Sequence, residues 1–538
     1  MLRAGQNGLS AGSSGGASLG SLVKRGSVLS LLTLGSRVLG LAREMVKASL
    51  LGTSALSDAF SVSYMLPNLF RRLFAEGSIA AAFIPTFKEY LTRSQDREAE
   101  IRSFLSGILS ILTFLVSLAV GLGILAAPIL VLWFRLEDYR ETIFLTRLMF
   151  PFLAFISLAA LFQGILNSLY IFAPSGMAPI VLNLATIGCA YGLSPYTANP
   201  ARSMAWGILL GGLLEAAIQL PFVIRAAPRF GFTSLTRAFK HPGCRKTLRL
   251  IGPTVIGMAA YQLNDLVSTM LAGYAGRGAV SSLQYSLRIQ ELILGIFAVS
   301  LGTVLLPDLA EDAKTGRWER YNERLTTALN IIILITIPVT FFFLSQGRLL
   351  IRLLFQDRLF DEESVRLTYS AFRFHICGLL FIAVNRILAP AFYAQGDSAS
   401  PTLAGIISFG VNMLLAALLA GPLRGAGIAL ALSLAGAVNT ALLLWFLRRN
   451  HRIALGGILR SSLGYTLKLT AFSVAAAAPV LLLRSRLNAL TFGSGRVAAY
   501  GAPFALSALI FSAAGIALLA LSKDKQFRAL LNLLKKPG

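Results

Sequence analysis

The chain has 538 residues, of which 55% are hydrophobic and only 14% are charged, and its mean hydropathy is +0.70. A soluble domain carries about 25% charged residues, so this composition excludes an ordinary soluble protein. A chain in lipid must satisfy its backbone hydrogen bonds within helices or a closed barrel. The apolar runs are long and continuous rather than short and alternating, so they predict an all-α membrane protein.

The formal net charge is +25. Most basic residues lie between apolar runs, so we expect them to set the topology and contact anionic lipid headgroups rather than nucleic acid. The cysteines and histidines have no metal-ligand spacing, so neither a metal site nor a cofactor is expected. They are Cys189, Cys244, Cys377, His241, His375 and His451.

A bilayer-spanning helix needs about twenty apolar residues, and the sequence contains fourteen such runs. They cover 26–50, 57–84, 103–134, 141–168, 176–194, 202–224, 250–273, 279–306, 325–346, 367–393, 399–420, 425–447, 462–483 and 497–521. The even-numbered connections and the C-terminal tail hold most of the lysines and arginines, which predicts that both termini are cytoplasmic. The exception is the basic stretch 347–364, interpreted as an amphipathic helix on the outer interface.

The connections divide the chain into six predicted segments. No connection is long enough to hold a soluble domain, and a loose repeat relates 57–85 to 281–307. The segments are a disordered cytoplasmic N-terminus (1–25), helices one to six (26–226), a basic cytoplasmic linker (227–249), helices seven to twelve (250–447), helices thirteen and fourteen (448–521) and a cytoplasmic tail (522–538).

Several ionisable residues lie inside the predicted helices, where they are costly and therefore candidates for function. One interpretation is that they pair with each other or reach an interface, especially Lys47, Asp58, Arg373 and His375 near helix ends. The other is that they line a water-filled, positively charged cavity that suits an anion such as pyrophosphate. The remaining candidates are Arg37, Arg43, Glu44, Arg71, Arg72, Glu76, Asn264, Asp265, Arg288 and Glu291.

Catalytic motifs with loop histidines, cysteine pairs or phosphate-binding glycines are missing, so an enzyme is not expected. Three alternatives stay open at this point. The first is a transporter of a lipid-linked saccharide or of a cationic drug, although a drug exporter should keep an acidic cavity. The second is a membrane-bound glycosyl or phosphoglycosyl transferase, which would keep acidic loops. The third is a scaffold for envelope assembly, which would gain nothing from deep charges.

The stretch SRVLGLAREMVKASLLGTSALSDAFSVSYMLPNLFRRLFAEGSIAAAFIPTF (36–87) resembles the N-terminal signature of the MurJ (MviN) lipid II flippases. Further similar segments follow in the family's order over nearly all of the chain after residue 20. They are FQGILNSLYIFAPSGMAPIVLNL (162–184), IGPTVIG (251–257), SLGTVLLPDLA (300–310), LLFQDRLFDEES (353–364) and LAPAFYAQGDSASPT (388–402).

The resemblance implies two six-helix lobes around a central cavity, in the multidrug/oligosaccharidyl-lipid/polysaccharide exporter superfamily. It also implies that helices thirteen and fourteen form a groove for the lipid tail. The implied function is to move lipid II, the peptidoglycan precursor on undecaprenyl pyrophosphate, across the bacterial inner membrane by alternating access. The expected partners are lipid II, membrane lipids, and proteins of cell-wall synthesis or division.

The resemblance also assigns transport residues by position, in the SRVLG, AR, DAF and RRxFAEG elements and in helix eight. Glu44, Leu287 and Met65 depart from the family's pattern, which puts the charge balance of the cavity in question. No cofactor is implied, but the membrane potential or a monovalent cation near Asp265 is expected to drive the cycle. The assigned residues are Arg37, Arg43, Asp58, Arg71, Arg72, Glu76 and Arg288.

Overall fold

The computed structural model describes residues 19–73, 78–93, 97–490, 493 and 495–528, and these are all-helical. Its first half contains α1 (Leu19–Leu51), α2 (Ala55–Arg71), α3 (Ser78–Arg93), α4 (Arg97–Leu132), α5 (Tyr139–Met149), α6 (Phe152–Ser168), α7 (Ala173–Gly192), α8 (Pro200–Ala226) and α9 (Leu235–Lys240). Its second half contains α10 (Pro242–Tyr274), α11 (Ala279–Lys314), α12 (Trp318–Phe355), α13 (Glu362–Cys377), α14 (Leu379–Ala394), α15 (Ala399–Leu423), α16 (Gly425–Leu447), α17 (Leu455–Leu482), α18 (Arg484–Ala489) and α19 (Arg496–Leu521).

The expected all-α membrane fold is confirmed, because each predicted span coincides with one long helix or with two consecutive helices. In the described ranges, nine helices are long and apolar enough to cross a bilayer, with α5 and α6 counted together as one. The bent pair α13–α14 makes a tenth. The other predicted spans correspond to α1, to α2 with α3, to α10 and to α11. These helices contain most of the deep charges, which lowers their hydropathy.

The structure differs from the sequence-based expectation at the N-terminus and in two connections. Helix α1 already begins at Leu19, within the stretch 1–25 that was predicted to be disordered, and residues 1–18 lie outside the described part of the chain. The linker 227–249 is shorter than predicted, because α10 already begins at Pro242 and the short α9 precedes it. The amphipathic surface helix predicted for 347–364 is wrong. There, α12 continues to Phe355, and a turn then leads directly into α13. Arg348 and Arg352 therefore belong to the end of a membrane helix, and Arg358 lies in the turn.

Side-chain caps fix the ends of several helices. Ser54 caps α2, since its Oγ accepts the backbone N–H of Ser57 at 3.2 Å. Asn199 caps α8 in the same way, and Pro200 follows at the first helical position, where its missing N–H costs nothing. Asp361 caps α13 by accepting the N–H of Ser364 at 2.9 Å. These residues make the turns between the spans short and defined.

Two large hydrophobic clusters form the interior. One is built from residues between Leu51 and Cys244, and the other mainly from residues between Tyr285 and Ile458. Helix α1 contacts both, because Ala48 belongs to the second cluster while Val46 and Leu50 pack against the first. Helix α1 therefore lies at the boundary between the two halves of the fold.

The last two long helices, α17 and α19, pack mainly against α12. Ile333, Ile337 and Phe342 of α12 share clusters with residues of α17 and α19. The aliphatic side chains on the outer faces of α17 and α19 are exposed, which is typical of a surface in contact with lipid. They include Leu459, Leu463, Leu467, Val474, Leu509 and Ile516.

A buried carboxylate fastens the end of α19 to α17. Asp524 accepts hydrogen bonds from Lys468 Nζ at 2.6 Å and from the Tyr465 hydroxyl at 3.0 Å. Burial alone would raise the pKa of Asp524, but the hydrogen bond from Lys468, with those from Phe527 N and Tyr465, lowers it below its ordinary value. The charged form is thus retained, and it holds the two helices together at this end.

Candidate functional site

A charged cavity lies between the two halves of the fold. It consists of two adjoining chambers of about 240 and 370 Å³. Arg43, Tyr64, Asn68, Arg72 and Arg288 line both chambers, which therefore share a wall. The walls come from α1, α2, α10 and α11, with further residues from α3, α6, α7, α8, α13, α14 and α16.

One carboxylate at the centre of the cavity is surrounded by cations. Glu44 of α1 lies 3.0 Å from Arg43 Nη2 and 4.0 Å from Arg288 Nε of α11. Arg288 also contacts Glu291, one turn further along α11, at 2.9 Å. Arg43 lies over the ring of Tyr64, with its guanidinium carbon 5.6 Å from the ring centre. The two arginines are therefore held in place from opposite halves of the fold.

A second group of charges lies where α2 ends. Arg72 Nη1 is 3.9 Å from Asp265 Oδ2 of α10, with both side chains partly accessible to the cavity. Arg71 lines the larger chamber, and its Nε donates to Asn68 Oδ1 at 2.7 Å. These contacts turn the end of α2 toward the cavity and join it to the second half of the chain.

Lys47 lines the cavity, although its position near a helix end predicted that it would pair with another charge or reach an interface. It is 5% exposed, and its Nζ donates to Ser61 Oγ at 2.7 Å. The same ammonium lies 4.7 Å from the ring centre of Tyr285. It has therefore not reached an interface, and it contributes positive charge to the wall of the smaller chamber.

The described lining of the smaller chamber carries net positive charge. It has five cations and three carboxylates, for a formal charge of +2. They are Arg43, Lys47, Arg72, Arg288 and Arg386, and Glu44, Asp265 and Glu291. The larger chamber adds only Arg71 and Glu215, which cancel formally. An excess of arginine in a partly desolvated cavity favours phosphate-like anions, which guanidinium groups bind with two parallel hydrogen bonds.

Arg37 and Asp58, two of the predicted transport residues, lie outside the described lining of the cavity. The guanidinium of Arg37 packs on α11, where a Cβ added to Gly295 would lie 2.0 Å from Arg37 Nη1. Asp58 is 3% exposed and lies where the two halves meet. Glu76, another of the predicted transport residues, lies outside the residues that the structure describes.

Asp58 joins the two halves by capping a helix of the opposite half. Its carboxylate accepts the backbone N–H of Gly278 and that of Ser281, each at 2.7 Å, at the start of α11. A negative charge there satisfies two of the orphan donors of α11 and interacts well with its dipole. Asp58 therefore holds the halves together rather than lining the cavity.

Further contacts at this end close the cavity between the halves. Thr53 Oγ1 lies 2.8 Å from Ser364 Oγ, and Ser49 Oγ donates to Asp357 Oδ2 at 2.5 Å. Gly52 has a φ of +56°, and a Cβ there would lie 2.0 Å from the carbonyl oxygen of Leu359. Only glycine allows this turn and this approach together. We call this region, formed by residues 49–58, 278–285 and 357–364, the closed end.

Arg386 and His375 are among the cavity residues that were not assigned to transport from the sequence. Arg386 received no role at all, because it lies in the apolar run of α14 without a second charge nearby. His375 was attributed to a helix end, but it is 1% exposed, and its Nδ1 lies 2.6 Å from Ser286 Oγ. Its Nε2 has no partner in the described part of the chain. An unpaired arginine within an apolar run is the signal that would have found Arg386.

Comparison with known proteins identifies the family. The sequence model of the family described as "Lipid II flippase MurJ" matches residues 47–498. The chain belongs to the MurJ family. It is 46% identical over 510 residues to "Probable lipid II flippase MurJ" of Treponema pallidum (strain Nichols), covering 94% of this chain and 97% of the relative. It is 32% identical over 433 residues to "Lipid II flippase MurJ" of Burkholderia cenocepacia, covering 78% and 82%.

Solved structures show the same fold. A MurJ structure described as "inward closed conformation" matches with a TM-score of 0.76 at 24% identity, covering 94% of this chain and 99% of that one. An inward-facing multidrug resistance MATE family transporter of the MOP superfamily matches with a TM-score of 0.64 at 14% identity, covering 79% and 96%. Family membership is thus accompanied by a fold that is shared with a MATE transporter.

Proposed function

We propose that this chain translocates lipid II from the cytoplasmic to the periplasmic leaflet of a bacterial inner membrane, with both termini in the cytoplasm. The observation that carries the proposal is the arginine cluster of the cavity, in a chain 46% identical to a probable lipid II flippase. Arg43 and Arg288 approach the same oxygen of Glu44, one from each half of the chain, and can bind the pyrophosphate from both halves. The sugars and peptide would occupy the remaining cavity.

Transport would proceed by alternating access without a covalent step. With the closed end sealed by Asp58 and its neighbours, the substrate enters from the opposite, cytoplasmic side. The pyrophosphate then competes with Glu44 and Glu291 for the guanidinium groups, which changes the pairing across the two halves. Opening requires the hydrogen bonds of Asp58 to break, so binding energy in the cavity must offset their loss.

The undecaprenyl tail need not enter the charged cavity. The exposed aliphatic faces of α17 and α19 give it an apolar surface beside the second half of the fold. A long isoprenoid chain is stabilised by such a surface about as well as by lipid, so the tail can follow the headgroup without a large barrier. This placement supports the expected role of the last two spans.

The direction of the cycle needs an energy source, and we propose the membrane potential. A cavity with a formal charge of +2 is drawn toward the negative cytoplasmic side, at about 2.3 kcal/mol per charge per 100 mV if it crosses the whole field. The alternative is a monovalent cation at Asp265, beside Asn264 and Ser268, which both contact Asn412 Nδ2. Arg72, 3.9 Å from Asp265, disfavours that alternative.

Substrate flipping in vesicles of controlled potential distinguishes these sources. We expect an ionophore that collapses the potential to slow turnover at least about tenfold at constant sodium and potassium, because about 2.3 kcal/mol per charge is lost. If transport instead stops when sodium and potassium are replaced at constant potential, the result would favour the Asp265 site and contradict the proposal.

Direct binding tests the substrate itself. We expect the purified chain to bind lipid II more tightly than undecaprenyl phosphate, because a pyrophosphate offers both arginines a partner. Native mass spectrometry of the wild type, of Arg43→Ala and of Arg366→Ala measures this. Arg43→Ala should weaken binding about 10- to 100-fold, as expected for lost charge-assisted hydrogen bonds.

The control Arg366 forms an exposed pair with Glu363 far from the cavity lining, so its variant should bind as the wild type does. Equal binding of lipid II by wild type and Arg43→Ala would remove the role proposed for the arginine cluster. If the chain instead binds a lipid-linked saccharide without the peptide more tightly than lipid II, that lipid would replace lipid II as the proposed substrate.

A further inference from the structure

A second basic pocket lies at the closed end, apart from the central cavity. It has a volume of about 130 Å³ and is formed by the last turns of α12, by α18 and by the first turns of α19. Its lining includes three arginines, two amides and a tyrosine. They are Arg348, Arg352, Arg484, Gln346, Asn488 and Tyr500. None of these residues lines the central cavity.

Two buried donors of this pocket have no partner within the described part of the chain. Gln346 is 5% exposed, and its Nε2 makes no hydrogen bond. Arg352 uses Nη2 to bind Glu362 at 2.8 Å, while its Nε is buried without a partner. Buried donors without an acceptor are costly and rare, so an acceptor bound in the adjoining pocket would stabilise them.

The charge of the pocket defines that acceptor. Arg348 and Arg352 share a single carboxylate, that of Glu362, and no carboxylate is among the described residues that line the pocket. Arg484 adds a further positive charge opposite them. Guanidinium groups and amide N–H groups together match the oxygens of a phosphate group, which accepts several charge-assisted hydrogen bonds at once.

The surroundings of the pocket indicate that the phosphate belongs to a lipid. Leu482 precedes Arg484 by two residues and is 82% exposed, and Val497 at the start of α19 is 68% exposed. These side chains offer apolar contact beside a charged pocket, at the level where membrane helices end. A free phosphate ion would gain nothing from them, whereas the acyl chains of a lipid would.

We propose that this pocket binds the phosphate of an anionic glycerophospholipid in the outer leaflet. The leaflet rests on the orientation given with the proposed function, but the binding does not. The bound lipid would bridge α12 to α18 and α19. It would therefore hold the last two long helices, α17 and α19, against the second half of the fold.

Native mass spectrometry of the full-length chain in detergent tests this site. The chain is titrated with phosphatidylglycerol, with phosphatidylcholine and with inorganic phosphate as a competitor. The variants are Arg484→Ala and Gln346→Leu, with Arg486→Ala as matched control, since Arg486 is exposed on the same short helix but does not line the pocket. We expect one phosphatidylglycerol to bind the wild type and the control about tenfold more tightly than phosphatidylcholine, and both pocket variants to lose this preference.

The variants also separate binding from folding. Gln346→Leu removes a buried unpaired donor, so its melting temperature without lipid should equal or exceed that of the wild type while its lipid preference is lost. Unchanged preference in both pocket variants would overturn the proposal, and so would displacement of the lipid by inorganic phosphate at equal concentration. A chain that keeps this preference but does not transport lipid II would contradict only the proposed function.

Discussion

Arg288→Ala is expected to reduce lipid II transport about 10- to 100-fold while leaving the chain folded. Arg288 is the residue through which α11 reaches Glu44 of α1, so its loss removes a proposed pyrophosphate donor and one of the links between the halves. A hydrogen bond to a charged group contributes about 1.5–3 kcal/mol, which corresponds to this range. Growth of cells depleted of their own flippase, together with the amount of the variant in the membrane, measures the effect.

Two further variants show whether charge or geometry matters. Arg288→Lys keeps the charge but loses the planar fork, so it should be intermediate between the wild type and Arg288→Ala. Arg366→Ala changes an exposed pair and should transport as the wild type does. Full growth with Arg288→Ala at wild-type expression would show that this arginine does not act in transport.

Asp58→Ala is expected to shift the protein away from the state that is sealed at the closed end. The substitution leaves the N–H groups of Gly278 and Ser281 without their carboxylate acceptor, at a combined cost of about 2 kcal/mol or more. The ratio of sealed to open molecules should therefore fall at least about 30-fold. Because transport needs both states, flipping should fall as well.

A disulfide across the closed end measures this shift. Thr53→Cys with Ser364→Cys, in a chain whose native cysteines are replaced by serine, places two thiols where the hydroxyl oxygens are 2.8 Å apart. We expect rapid cross-linking that blocks transport and is reversed by reduction, and much slower cross-linking when Asp58→Ala is added. Glu363→Gln is the matched control, because Glu363 is an exposed carboxylate of the same end and its ion pair is with Arg366, one turn along the same helix.

Cross-linking at the same rate with and without Asp58→Ala would contradict the role assigned to this carboxylate. A cross-linked protein that still transports would go further. It would show that the closed end does not open during the cycle, and alternating access through that end would be wrong.

The sequence was sufficient for the fold class and for most of the cavity. Long apolar runs specify membrane helices directly, and charges within them are rare enough to mark function, which identified Arg43, Arg72 and Arg288. Their clustering could not be derived from spacing alone. Arg288 and Glu44 are separated by more than two hundred residues, and only tertiary packing brings α11 beside α1.

Other features depended on packing that no local pattern reports. Asp58 resembles a cavity charge in sequence, yet its role at the closed end depends on the start of α11, which comes from the other half of the chain. The stretch 347–364 has the pattern of a surface helix, but the arginines on its polar face belong to α12 and meet Glu362, α18 and α19. An amphipathic pattern cannot distinguish contact with an interface from contact with a polar pocket.

Exposure of lipid II at the outer leaflet tests the central claim most directly. The measurement uses cells depleted of their native flippase that carry this chain, either wild type or Arg288→Ala, at equal amounts in the membrane. The wild type should restore exposure of lipid II to an external probe, and Arg288→Ala should not. If the wild type is present in the membrane and restores no exposure, the chain does not move lipid II.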